Sequence, residues 1–79
     1  MTDTPTCAAE VDASGLTCPL PLLKAKMALN GLASGALLKV IATDAGSQRD
    51  FQTFARLSGH ALVDAQVEGG VYTYWLRKA

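Results

Sequence analysis

The chain has 79 residues, 49% hydrophobic and 18% charged: enough apolar material for one small core, too little length for a second domain, and unlike the composition of disorder. Seven Lys plus Arg offset seven Asp plus Glu, so the broad positive field of a general nucleic-acid binder is missing. The opening stretch MTDTPTCAAEVDASGL lacks the basic-then-apolar order of a secretory signal, and Lys24, Lys26, Lys39 and Asp44 interrupt the apolar runs well short of the roughly 18 residues that a membrane span requires. The expectation is a soluble, cytoplasmic protein.

Residues 1–8 read as a flexible N-terminal segment and 9–79 as one domain. Ala9-Glu10-Val11-Asp12-Ala13 alternates apolar and polar, which predicts a short strand with one wet face, and Ser14-Gly15 breaks it. Pro19 falls in the first turn of a predicted helix, where proline is best tolerated, and Leu22, Ala25, Leu29 and Leu32 recur behind it at spacings of three and four. That helix runs from Pro19 to Asn30 or Leu32, ended by Gly31 and Ala33-Ser34-Gly35. Ala36 to Thr43 is a nearly continuous apolar run with β-branched members, the pattern of a central strand.

Ala45-Gly46-Ser47 makes a turn, and Ser47 with Asp50 three residues later resembles a weak capping box that starts a second helix. Phe51, Phe54, Ala55 and Ser58 form its expected buried face, Arg49, Gln52 and Arg56 its wet face, and Gly59 a left-handed terminator. His60 opens a third strand, in which Ala61, Val63, Ala65 and Val67 alternate with Leu62, Asp64, Gln66 and Glu68. Gly69-Gly70 is a two-residue hairpin turn, and Val71 to Arg77 returns antiparallel.

The order β-α-β-α-β-β, with right-handed crossovers, places both helices on one face of a mixed four-stranded sheet, an α/β (α+β) two-layer sandwich. Thirteen alanines favour close helix-to-sheet contact. In the last strand Tyr72, Tyr74 and Leu76 share the face better suited to the core, and Thr73, Trp75 and Arg77 share the other. Trp75 is therefore expected to be an exposed, incidental aromatic on the open side of the sheet.

Gly15-Leu16-Thr17-Cys18-Pro19-Leu20-Pro21 sets a cysteine between a strand-exit loop and the start of a helix. Because a residue before proline avoids helical geometry, Cys18 is the expected cap residue, its sulfur at the positive end of the helix dipole, where a thiolate is favoured. Pro19 and Pro21 lack N–H groups and remove two donors from the first turn, leaving the amides of Leu20 and Leu22. The expectation is a moderately acidified thiol, assisted by Lys24 or Lys26 if the fold brings either close. The stiff Pro-x-Pro entrance fixes the direction of the sulfur, which suits delivery into another protein's site.

Other cysteine chemistries lack their parts. A Cys-x-x-Cys oxidoreductase needs its second thiol at position 21, which is Pro21. A cysteine hydrolase needs a base, and the one histidine, His60, lies beyond the second helix. Two cysteines and one histidine fall short of a tetrahedral zinc site, so no metal is expected. Cys7 and Cys18 flank a strand rising about 3.3 Å per residue, which separates them beyond the roughly 7 Å Cα limit for a disulfide. Cys7 is expected to have no catalytic duty. An inert, buried Cys18 fits poorly with a conformation set by two adjacent prolines, so what remains is a lone nucleophilic thiol that accepts a group and hands it on.

The residues Val11-Asp12-Ala13-Ser14-Gly15-Leu16-Thr17-Cys18-Pro19-Leu20-Pro21, with Lys26 beyond, closely resemble the signature of the TusA (SirA-like) sulfur-carrier family. The resemblance continues through Ile41-Ala42-Thr43-Asp44, Arg49-Asp50-Phe51, Gly59-His60 and Tyr72 to Lys78. It implies a fold similar to the C-terminal domain of translation initiation factor three and a persulfide carried on Cys18, with no cofactor beyond that covalent sulfur. Asp12, Gly15, Leu16, Pro19 and Pro21 are then the supporting motif. Lys24, Lys26, Asp44 and Arg49 are candidate electrostatic or partner contacts, although a solvated helix face is the plainer reading of the basic residues.

The implied partners are a cysteine desulfurase or rhodanese-like sulfur donor and DsrE-type relay acceptors, feeding tRNA thiolation, cofactor biosynthesis or sulfur oxidation, with the carrier itself a monomer and no membrane attachment. Ala45 stands where several relatives have proline, and Cys7 is outside the signature. The competing reading is a non-enzymatic, redox-sensitive regulatory or adaptor module. Direct nucleic-acid binding, suggested by the fold analogy alone, is disfavoured by the neutral charge balance.

Overall fold

The computed structural model describes residues 7–79; the first six positions of the segment read as flexible lie outside the described residues. The elements are β1 (Ala9–Ala13), α1 (Leu20–Asn30), β2 (Leu37–Ala42), α2 (Ser47–Ser58), β3 (Ala61–Glu68) and β4 (Val71–Arg77). They form a four-stranded sheet in the order β1-β2-β4-β3, in which β1 and β2 are parallel and the other pairings antiparallel. A parallel pair needs a crossover, which α1 supplies. Gly69 and Gly70 have φ of +58° and +80°, as the tightest hairpin turn requires at both central residues. α2 carries the chain over β4, so that β3 lies at the outer edge. The mixed sheet with both helices over one face is the predicted architecture.

The core lies between the sheet and the helices. Leu38, Val40 and Ala42 of β2 alternate inward and meet Tyr74 and Leu76 of β4, Ala25 and Leu29 of α1, and Phe51 of α2. The Phe51 and Tyr74 rings stack with centroids 4.5 Å apart and planes within 5°. On α1 the fully buried row is Pro21, Ala25 and Leu29, spaced by four; Leu22 and Leu32 of the expected stripe are only partly covered.

Three expectations need correction. Trp75 does lie with Lys39 and Asp64, its cross-strand partners, on the face opposite the helices, but it is only 7% exposed, and Lys39 Nζ stands 5.8 Å above its ring. Ser47 does not cap α2: Gly46 occupies that position without a side-chain cap, and Ser47 is buried, its hydroxyl 2.7 Å from the Tyr74 hydroxyl. In β3 the alternation is broken by a register shift between Leu62 and Asp64. The shift puts Leu62, opposite Leu76, on the same face as Ala65 and Val67, opposite Tyr74 and Tyr72. Leu62 thus joins the core, while Val63 and Val67 stay exposed.

Candidate functional site

Because β1 and β2 run parallel in register, Ala13 beside Ala42, the loops leaving their C-terminal ends lie side by side. The first loop turns at Ala13–Leu16, where the Leu16 amide donates to the Ala13 carbonyl at 3.2 Å and Gly15 has φ +81°. A tight turn with that bond and a positive φ at its third residue is of type II, which favours glycine there. Asp12 Oδ1 accepts the Ser14 amide at 3.0 Å. The Gly15 amide donates to Thr43 Oγ1 at 2.9 Å and so ties the first loop to the second. The supporting residues Asp12 and Gly15 therefore hold the loop by identifiable bonds. Leu16 is half-buried, and Pro21 is buried in the first turn of α1.

Cys18 sits at the tip of this loop, exposed, with a cis peptide bond to Pro19. The cap of α1 is Pro19, one residue later than expected, and the helix begins at Leu20. The dipole account of the thiol also changes. The Leu20 amide, one of the two donors expected at the sulfur, donates instead to the Thr17 carbonyl at 2.9 Å. The sulfur looks across to α2 instead: Sγ donates to Asp50 Oδ2 at 2.6 Å.

That contact reverses the expected acidification. The hydrogen bond to Asp50, then desolvation, then the negative charges of Asp50 and Asp44 raise the Cys18 thiol above its ordinary value, since each favours the neutral sulfur. Lysine plays no part in this shift: Lys26 Nζ stands 5.5 Å over the Phe54 ring, and Lys24 is exposed on α1. Of the predicted electrostatic contacts, the structure brings Asp44 and Arg49 to the sulfur's surroundings and sets Lys26 in a neighbouring groove with Arg49 and Asp50, while Lys24 lines neither.

A shallow cleft opens beside the sulfur, lined by Gly46, Arg49, Asp50 and Gln52 as well as Cys18. Gly46 is a matter of space: its φ of −65° suits any residue, but a Cβ there would stand 3.0 Å from Asp44 Oδ2 and 3.7 Å from Cys18 Cβ. Asp44 Oδ2 is buried without a hydrogen-bond partner. Asp50 and Gly46 are the site residues that the motif reading missed. Asp50 stood in plain view beside Arg49, but its spacing from Ser47 suggested a cap and nothing in the sequence paired it with a residue 32 positions earlier.

His60 lies at the other end of α2, where its Nδ1 accepts the Ala79 amide at 3.0 Å and its ring leans on Phe54. It is not the base of a cysteine hydrolase. Cys7 is half-buried, and no disulfide joins it to Cys18. Among the described residues no group of His, Cys, Asp and Glu could hold a metal ion, and no helix is long and apolar enough to cross a membrane.

Comparison with known proteins gives the chain its family. Residues 9–78 match the family model described as sulfurtransferase TusA. A sulfur carrier protein TusA of Allochromatium vinosum is 50% identical over 70 residues, 89% of this chain and 92% of that protein. Its counterpart in Pseudomonas putida is 48% identical over 68 residues, 86% of this chain and 85% of that one. Among solved structures, a SirA-like protein of Desulfitobacterium hafniense superposes with a TM-score of 0.77 at 27% identity, covering 87% of this chain and 95% of that one. With a match that runs from the first residue of β1 to the residue after β4, the chain belongs to the TusA sulfurtransferase family.

Proposed function

We propose that this protein is a sulfur carrier in which Cys18 accepts sulfane sulfur as a persulfide and hands it to an acceptor protein. The observation that carries this reading is the exposed Cys18 thiol, presented at the Pro-bounded entrance of α1 in a chain of the TusA family. The chemistry is thiol exchange: the sulfur of Cys18 attacks the outer sulfur of a donor persulfide, and an acceptor thiolate repeats that attack on the loaded Cys18. Neither step calls for a metal or an organic cofactor. The protein is a sulfurtransferase in the sense of a carrier, with no turnover apart from its donor and acceptor.

The donor is a cysteine desulfurase or a rhodanese-like protein, and the acceptor a relay protein of the DsrE type, in tRNA thiolation, cofactor biosynthesis or sulfur oxidation. Handover between proteins is supported by apolar surface on the two helices, beginning two residues after the thiol. Leu20, Leu23 and Met27 repeat along one side of α1 and are 43%, 51% and 68% exposed, and Leu57 of α2 is 73% exposed. A reactive thiol that must stay reduced between transfers suits the cytoplasm, with the carrier acting as a monomer.

Incubation with a cysteine desulfurase and free cysteine is expected to add one sulfur atom to the wild-type chain and none to Cys18→Ser, read by intact-protein mass spectrometry. Sulfur on Cys7 of the serine variant would reassign the carrier thiol. Full rescue of a deletion strain by Cys18→Ser would favour the adaptor reading instead.

A further inference from the structure

The contact between Cys18 and α2 depends on whether the sulfur carries cargo. In the empty chain Sγ–H donates to Asp50 Oδ2 at 2.6 Å. Asp44, with its Oδ2 buried and unpartnered beside Gly46, adds a second negative charge facing the same sulfur. Two cations stand near Asp50: Arg49 on α2, which lines the cleft beside the sulfur, and Lys26 of α1, which rests over Phe54 and lines a neighbouring groove with Arg49 and Asp50.

Loading changes the chemistry at that spot. A Cys18 persulfide has no proton on Sγ, so the bond to Asp50 is lost. Its outer sulfur is more acidic than a thiol and carries negative charge near neutral pH, one bond from the sulfur that Asp50 touches and that also feels the Asp44 charge. One attraction disappears and one repulsion arises, and both favour the unloaded form. An interaction present in only one of two states moves the equilibrium toward that state.

We propose that Asp50 biases Cys18 toward its empty, protonated state, so that the loaded carrier gives its sulfur away readily. The role rests on the sulfur-carrier reading and adds to it a residue that acts on the direction of transfer. In exchange with glutathione persulfide, the bond from Cys18 Sγ to the outer sulfur forms as the sulfur–sulfur bond of glutathione persulfide breaks. The electron pair of the broken bond leaves with the glutathione sulfur, which also receives the proton lost from Sγ. The products are the Cys18 persulfide and glutathione, with no net oxidation. In reverse, a glutathione thiolate takes the outer sulfur, and Sγ recovers its proton and its bond to Asp50.

The test is the equilibrium of this exchange near neutral pH, read as sulfur occupancy of the Cys18-containing peptide over a range of glutathione persulfide to glutathione ratios. Asp50→Asn is expected to raise the loading constant about threefold or more, the scale of an exposed charge interaction. A second readout is the rate of iodoacetamide modification. It is expected to rise by a similar factor near neutral pH in Asp50→Asn, with the plateau at high pH unchanged. Asp50→Glu, which keeps the charge, is expected to move both quantities less, and Asp44→Asn to move them in the same direction by a smaller amount. Wild-type loading with an exchange constant and alkylation profile indifferent to Asp50→Asn overturns this proposal and leaves the carrier reading standing. A wild-type Cys18 that takes up no sulfur brings down both.

Discussion

Asp12 holds the Cys18 loop through a bond that is itself sensitive to acid. Hydrogen bonds from the Ser14 side chain and backbone lower the Asp12 carboxyl from its usual value. The folded chain therefore binds this proton more weakly than the unfolded chain, and Asp12 contributes stability above its unfolded value, about 3.9, that is lost as pH falls through the lower folded value. In urea titrations the wild type is expected to exceed Asp12→Ala in stability near neutral pH, with the gap closing as the pH falls below the usual carboxylate range. A gap that persists unchanged into strong acid would show that the aspartate charge is not the stabilising element. The Cys18 thiol, raised by Asp50 and Asp44, has the opposite tendency and keeps its proton into alkaline solution.

At the scale of elements, α2 decides where Asp50 stands, and α2 is fastened to the sheet by two contacts with β4. One is the stack of Phe51 on Tyr74, the other the buried bond between Ser47 and Tyr74. Ser47→Ala or Tyr74→Phe leaves one buried hydroxyl unpaired, at an expected cost of about 1–3 kcal/mol each. The double variant removes both hydroxyls and is expected to be about 0.5–3 kcal/mol more stable than the sum of the single losses implies, measured by denaturant unfolding. Additive losses would mean that the two hydroxyls do not depend on one another. α1 is secured at its far end by Lys78, whose Nζ donates to the Leu29 and Leu32 carbonyls at 2.6 and 3.0 Å. A cation is favoured at the carbonyl-rich end of a helix.

For the molecule as a whole, one core cluster serves both helices. Leu38, fully buried in β2, is part of it. Leu38→Ala is expected to cost about 2–5 kcal/mol, a large share of the roughly 5–15 kcal/mol that holds a small domain together. With about 4–8 °C lost per kcal/mol in a chain of this size, the thermal midpoint falls by about 10 °C or more. A much smaller fall would show that the surrounding side chains close the gap. The balance of seven basic and seven acidic residues also makes salt-dependent retention of RNA in a gel-shift assay an unexpected outcome.

Local periodicity was enough for the order of elements, the hairpin at Gly69-Gly70, the left-handed end of α2 at Gly59 and the exposed position of Cys18, because each follows from the spacing of apolar residues or from what glycine and proline permit. The family resemblance was legible for the same reason: its motif is contiguous. Ser47 and Asp50 looked like a cap because the pattern is local, whereas their partners, Tyr74 and Cys18, lie 27 and 32 residues away. Trp75 could be assigned to its face but not to its burial, which depends on what neighbouring strands place around it. The protonation of Cys18 was likewise settled only when the parallel pairing of β1 with β2 and the packing of α2 on β4 brought two carboxylates to its sulfur. Charge acts through space, and only the folded chain determines which charges are near.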